Sequence, residues 1–211
     1  MPRWEPNARE RLRAAALELF GSHGFDGVTV EEIARRAGLS RRSFFRYFSD
    51  KREVLFAGED GLGTAVASAI AAMPEPGPGA GSRVVFSVLS EVGEFLTVDR
   101  VAQRRRRTVI QSSSDLQERE RAKLASAAAT IGSALVHRGV VDGTFLGALA
   151  VELFREAYEQ ALDDDAATPF ADRLASVRKD ARRFLDAADR ETASDLSARQ
   201  SSTAEGDALK G

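Results

Sequence analysis

The stretch from Thr29 to Lys51, TVEEIARRAGLSRRSFFRYFSDK, constrains this chain most. It reads as two short helices around a tight turn. Thr29 and Glu32 have capping-box spacing: the hydroxyl can accept from the Glu32 amide while the carboxylate reaches back to the Thr29 amide, which fixes a helix start. Ile33, Ala34 and Ala37 follow at helical spacing, Gly38 supplies backbone freedom for a sharp turn, and Ser40 caps the second helix. On a helical wheel with Arg41 at zero and about 100° per residue, Phe44 and Phe48 fall near 300° and 340°, whereas Arg42, Arg46, Ser43 and Tyr47 spread over roughly 100° to 240°. One side can therefore bury two phenyl rings while the other carries only hydrogen-bonding groups. A helix-turn-helix unit needs this division, because the apolar side anchors the second helix and the polar side enters the major groove. Arginine can grip guanine O6 and N7 with two donors, and serine can meet a base edge or a phosphate. Base reading is thus assigned mainly to Arg42 and Ser43, with Ser40, Arg41 and Arg46 beside them. An Arg-Arg pair on a helix is ordinarily just solvated; here its register gives it meaning.

In this register the chain resembles the DNA-binding module of the TetR/AcrR family of one-component transcriptional regulators. The resemblance covers about Arg9 to Phe56 and rests on GFDGVTVEEIARRAGLSRRSFFRYFSDKRE, where capping box, turn glycine, aromatic cluster and trailing lysine occur together. It implies phosphate contacts at Thr29, Phe45, Tyr47 and Lys51. Phe45 departs from the tyrosine common there, so any hydrogen bond from a hydroxyl at that position is lost. The SRRSFFRYF variant is similar to a subgroup common in actinobacteria, which includes regulators associated with mycofactocin systems. The resemblance further implies a homodimer on a palindromic operator of double-stranded DNA, acting as a repressor and released by a small lipophilic effector such as an acyl thioester.

Composition narrows the rest. Net charge is only −2, but residues 1–57 hold 11 Lys/Arg against 8 Asp/Glu, so the cationic excess sits at the N-terminal end. With no cysteine, neither a disulfide framework nor a thiolate metal site is possible; His23 and His137 show no ligand spacing, and no metal or other cofactor is expected. No apolar run comes near the ~18 to 20 residues that cross a bilayer and no leader is read at Met1, which leaves a cytoplasmic expectation.

No strand-like alternation of useful length appears, so the expected fold is all-α. The expected domains are a three-helix helix-turn-helix domain over residues 1–56, a helical effector-binding and dimerisation domain over 57–190, and a disordered tail over 191–211. Residues 1–8 read as a loose arm, with Arg3 a candidate DNA contact. Gly58, Gly61 and Gly63 weaken the fourth helix, as a lever between modules or for close packing, and PEPGPGAG (74–81) reads as a linker. Ser82 is the expected cap of the helix that follows, with Glu94 on its solvent side. Arg104 to Arg107 point in four directions around a helix, so they form no single patch. The run Asp163 to Asp165 reads as solvated charge. Phe170, Leu174, Val177, Ala181, Phe184 and Ala188 recur at spacings of 4, 3, 4, 3 and 4, a helix-pairing seam. Leu153, Val177 and Phe184 are the expected dimer contacts, and His137, Arg155 and Tyr158 the expected effector contacts. Two other functions fit the pattern: a DNA-architectural helical protein without effector, and a DNA module fused to an enzyme. The enzyme lacks support, since no nucleophile motif or carboxylate and histidine set stands at a telling spacing.

Overall fold

The computed structural model describes residues 7–56, 61–74, 80–164 and 168–208, with Ala80, Asp189 and residues 191–208 as backbone only. The arm with Arg3, Gly58, most of the 74–81 linker and Asp165 lie outside the described residues. Among the described residues every regular element is a helix. These are α1 (Ala8–His23), α2 (Val30–Arg36), α3 (Arg41–Tyr47), α4 (Glu53–Phe56), α5 (Gly61–Ala71), α6 (Ala80–Leu96), α7 (Arg100–Gln111), α8 (Ser114–His137), α9 (Gly143–Asp163) and α10 (Phe170–Ala208).

Two apolar cores organise them. The first gathers Leu12, Ala16 and Phe20 of α1, Ile33 of α2, Phe44 and Phe48 around α3, and Val54, Leu55 and Phe56 of α4. Val109, Ile110 and Leu116 join it from α7 and α8, so the N-terminal module leans on the rest of the chain. The second core combines Leu62, Val66 and Ile70 of α5, Val85 and Leu89 of α6, Ile131 and Leu135 of α8, Phe154 and Ala157 of α9, and Phe170 and Leu174 of α10. Contrary to the expectation from sequence, the run Glu53–Ala71 is long and apolar enough to cross a membrane by length and composition. Half of it is buried inside the protein, with Val54, Leu55 and Phe56 in the first core and Leu62, Val66 and Ile70 in the second.

Small residues set the spacing of the second core. A Cβ on Gly147 would lie 2.5 Å from the Gly132 backbone nitrogen, and one on Gly132 would lie 2.8 Å from Thr144 Cα, so α8 and α9 touch backbone to backbone. A Cβ on Gly63 would lie 2.9 Å from Ala127 Cα. Of the two uses open for the α5 glycines, close packing therefore applies to Gly63, whereas Gly61 faces open space.

Polar side chains join the parts. Around α7, Arg104 donates to Leu162 O, Arg106 donates to Leu55 O at 2.8 Å and pairs with Glu120, and Arg107 pairs with Glu159 and Asp163. Asp163 and Asp164 are thus not free charge: Asp164 pairs with the buried Arg173 of α10. Glu94 is also engaged, accepting from the Ala171 amide at the start of α10. That helix start has unpaired amides, which a carboxylate satisfies well. α6 begins at Ala80, ahead of the expected cap Ser82, and α10 continues to Ala208, where composition predicts a tail. No proline interrupts residues 192–208. Lengthening an existing helix needs no new nucleus, so weak local propensity suffices.

Candidate nucleic-acid interface

Thr29 caps α2 as its spacing requires. Its hydroxyl accepts from the Glu32 amide at 3.2 Å and donates to Glu32 Oε2 at 2.8 Å, while its own amide donates to the same oxygen at 2.8 Å. These bonds hold the Glu32 carboxyl below its ordinary value, the Thr29 amide contributing most. α2 ends at Ala37, and Gly38 turns the chain with φ 67. That left-handed φ favours glycine, and a Cβ there would also push on the Arg11 guanidinium, which donates to Ala37 O and clamps the turn onto α1.

Ser40 then caps α3, accepting from the Ser43 amide at 3.0 Å, and the two hydroxyls lie 3.0 Å apart. Phe44 is fully buried and Phe48 nearly so, with ring centroids 5.4 Å apart. The rings fasten α3 to the first core and turn its opposite side outward. Arg41, Arg42 and Arg46 are exposed there, with Ser43 half-buried between them. Arg41 is ion-paired with Glu31, and Arg46 donates to Tyr47 Oη at 3.0 Å. Among the described residues Arg42 alone of these three makes no hydrogen bond or ion pair. Its five donors are directed to solvent.

Phe45 is 46% exposed and meets Phe44 edge-on. Lys51 is engaged within the protein. Its ammonium donates to Phe25 O at 2.7 Å and Val28 O at 3.0 Å and lies 4.2 Å from the Phe25 ring centroid. It therefore ties the α1–α2 connection to α4, with one donor left over. Asp50 caps α4, accepting from the Arg52 and Glu53 amides. The Glu53 carboxylate does not close the box that its spacing suggests; it goes to Arg119 and Lys123 of α8, both at 2.9 Å. The ion pairs of Glu31 and Glu53 are not legible in the sequence, because their partners lie on other helices at no periodic spacing.

The three effector candidates are not brought together. His137 is exposed and bonds to Ser133 O of its own helix at 2.7 Å, and the exposed Arg155 pairs with Glu152. Only Tyr158 reaches the second core, where its hydroxyl donates to Gln103 Oε1 at 2.8 Å and its ring stacks on Phe154. Among the dimer candidates, Val177 is buried at 7% within its own chain, whereas Phe184 is 74% exposed and Leu153 half-buried. The seam divides because α10 runs past the body of the domain: Phe170, Leu174 and Val177 face the core and Phe184 does not.

Residues 12–57 match the family model of bacterial regulatory proteins of the tetR family. The N-terminal module belongs to the TetR family. A relative named as the mycofactocin biosynthesis transcriptional regulator MftR of Mycobacterium tuberculosis is 51% identical over 39 residues, which are 18% of this chain and 20% of that protein. The chain thus matches about a fifth of that relative's length. Solved structures extend the likeness in fold. A TetR-family regulator from Mesorhizobium loti MAFF303099 superposes with a TM-score of 0.54 at 20% identity, covering 86% of this chain and 96% of that one. FadR of Bacillus subtilis, in complex with stearoyl-CoA, superposes with a TM-score of 0.54 at 17% identity, covering 80% and 94%. An N-terminal helix-turn-helix domain followed by a helical domain is the shared architecture.

Proposed function

We propose that this chain is a ligand-responsive transcriptional repressor that binds a palindromic operator as a homodimer and leaves it when a small lipophilic effector binds. The observation that carries this reading is the exposed Arg42, held outward by the buried Phe44 and Phe48 and unpaired among the described residues. Arg42 and Ser43 read bases, Arg46, Tyr47 and the Phe45 ring border them, and Thr29 and Ser40 offer phosphate contacts at two helix starts. Lys51 positions this face and has one donor left for phosphate.

Dimerisation is supported by the apolar surface left on the last two helices, Phe145, Leu146 and Leu149 of α9 with Phe184 and Leu185 of α10. So many exposed apolar side chains on one helix pair call for a partner. The effector is assigned to the second core beside Tyr158 and Gln103, and the stearoyl-CoA bound by the FadR neighbour supports an acyl thioester. A shift of α7 or α8 there would reach the DNA module through Glu53 and the Arg106 bond to Leu55 O. The coupling is reciprocal, so operator binding weakens effector binding by the same factor.

The test is selection of duplexes from a random pool, then fluorescence anisotropy on the selected and on scrambled DNA. A regulator is expected to prefer its site by about a thousandfold or more. Near-equal affinities with the same salt dependence would instead make the protein a DNA-architectural one.

A further inference from the structure

Glu31 lies on α2, outside the face that α3 presents, yet it fixes one member of that face. Arg41 opens α3, and its guanidinium is ion-paired with Glu31 while lying 5.3 Å from the centroid of the Phe45 ring. Both side chains stay more than half exposed, so the carboxylate offsets part of the charge and competes for the donors, while the ring lies beside the guanidinium. Arg42, the next residue, has neither contact. Two adjacent arginines at the same helix start are therefore in different states, and the charged partner that sets them apart is one acid on the neighbouring helix.

We propose that Glu31 is a positioning residue that withholds Arg41 from DNA, leaving Arg42 as the arginine that discriminates between sequences. This rests on the reading of α3 as the DNA-contacting helix. A phosphate contact is indifferent to sequence, so a released Arg41 would strengthen binding to any duplex and steepen its salt dependence. Occupying Arg41 inside the protein keeps that contribution out of random binding. The sequence hides this arrangement, because Glu31 and Arg41 sit ten positions apart across a turn.

Full-length wild type, E31Q, R41A and the double variant E31Q/R41A are compared on a random-sequence duplex over a range of salt concentrations, with circular dichroism as a control for folding. E31Q is expected to bind several-fold tighter, with a log–log salt slope steeper by about 0.9 for each protomer on the DNA. R41A alone should keep the wild-type slope, and E31Q/R41A should lose the gain made by E31Q. If R41A flattens the wild-type slope, Arg41 already contacts phosphate and the proposal is wrong. It is also wrong if E31Q changes neither affinity nor slope, or if E31Q/R41A keeps the gain, which would trace it to the loss of one negative charge. Failure of the wild type to prefer any selected duplex would count against the role of α3 in sequence reading, while the slopes on random DNA still decide the case of Glu31.

Discussion

Lys51 shows how a single side chain serves the site without facing it. Two backbone carbonyls, of Phe25 and Val28, accept from its ammonium. Lys51→Met keeps the aliphatic stem but removes those donors. It should lower unfolding free energy by about 1–3 kcal/mol in chemical denaturation, and so weaken binding to all DNA partly through a looser α1–α2 connection. Two carboxyls contribute to the acid response of the same module. The bonds from Thr29 hold Glu32 below its ordinary value; burial raises Asp50, but donation from the Glu53 and Arg52 amides outweighs it and leaves the net shift downward. A carboxyl lowered on folding stabilises fully above its unfolded value and loses that contribution as pH falls through the folded one. Melting temperature should therefore drop below about pH 4, where unperturbed carboxyls protonate. Glu32→Gln should lower it at neutral pH and flatten the acid limb in a melting series from pH 7 downward; an unchanged acid limb would remove Glu32 from the cap.

At the scale of elements, helices with a local start signal were legible and contacts between helices were not. The Thr29 and Ser40 caps, the Gly38 turn and the burial of Phe44 and Phe48 follow from spacing within one or two turns of chain. The apolar period of α10 was legible as well, but spacing carries no information about where the supporting body ends, so Val177 was placed on the wrong side of the seam. Charge runs were equally ambiguous. Asp163 is solvated as its sequence suggests and Asp164 partly so, yet both are also paired, with Arg107 and Arg173 of other helices. Glycine spacing hid the closest helix pair. Gly147→Ala puts a methyl against backbone atoms of α8 that cannot rotate away, and should destabilise by about 1–3 kcal/mol. Gly61→Ala, in open space, should be neutral or stabilise by up to about 1 kcal/mol. Denaturant titration of the two variants separates close packing from a general intolerance of larger residues.

For the whole molecule, the two apolar systems predict different responses to charge. Phe184→Glu and Leu149→Glu alter surface that is exposed in the single chain, so both variants should stay helical and run as monomers in multi-angle light scattering. Val177→Glu buries a charge in the second core and should unfold or severely destabilise the domain. Dimers that persist in the first two would move the interface elsewhere. Between that interface and the DNA face lie the Glu53, Arg119 and Lys123 ties and the Arg106 bond, which span the two cores. Everything proposed for the whole chain converges on the outward side of α3. The most direct test is the affinity of Arg42→Ala for the selected operator, for operators changed at single base pairs, and for scrambled DNA. The expected result is a loss of about 1–3 kcal/mol on the operator, relaxed discrimination at one position of each half-site, and little change on scrambled DNA. Equal losses on operator and scrambled duplexes would contradict a base-reading role for Arg42 and, with it, for the exposed face of α3.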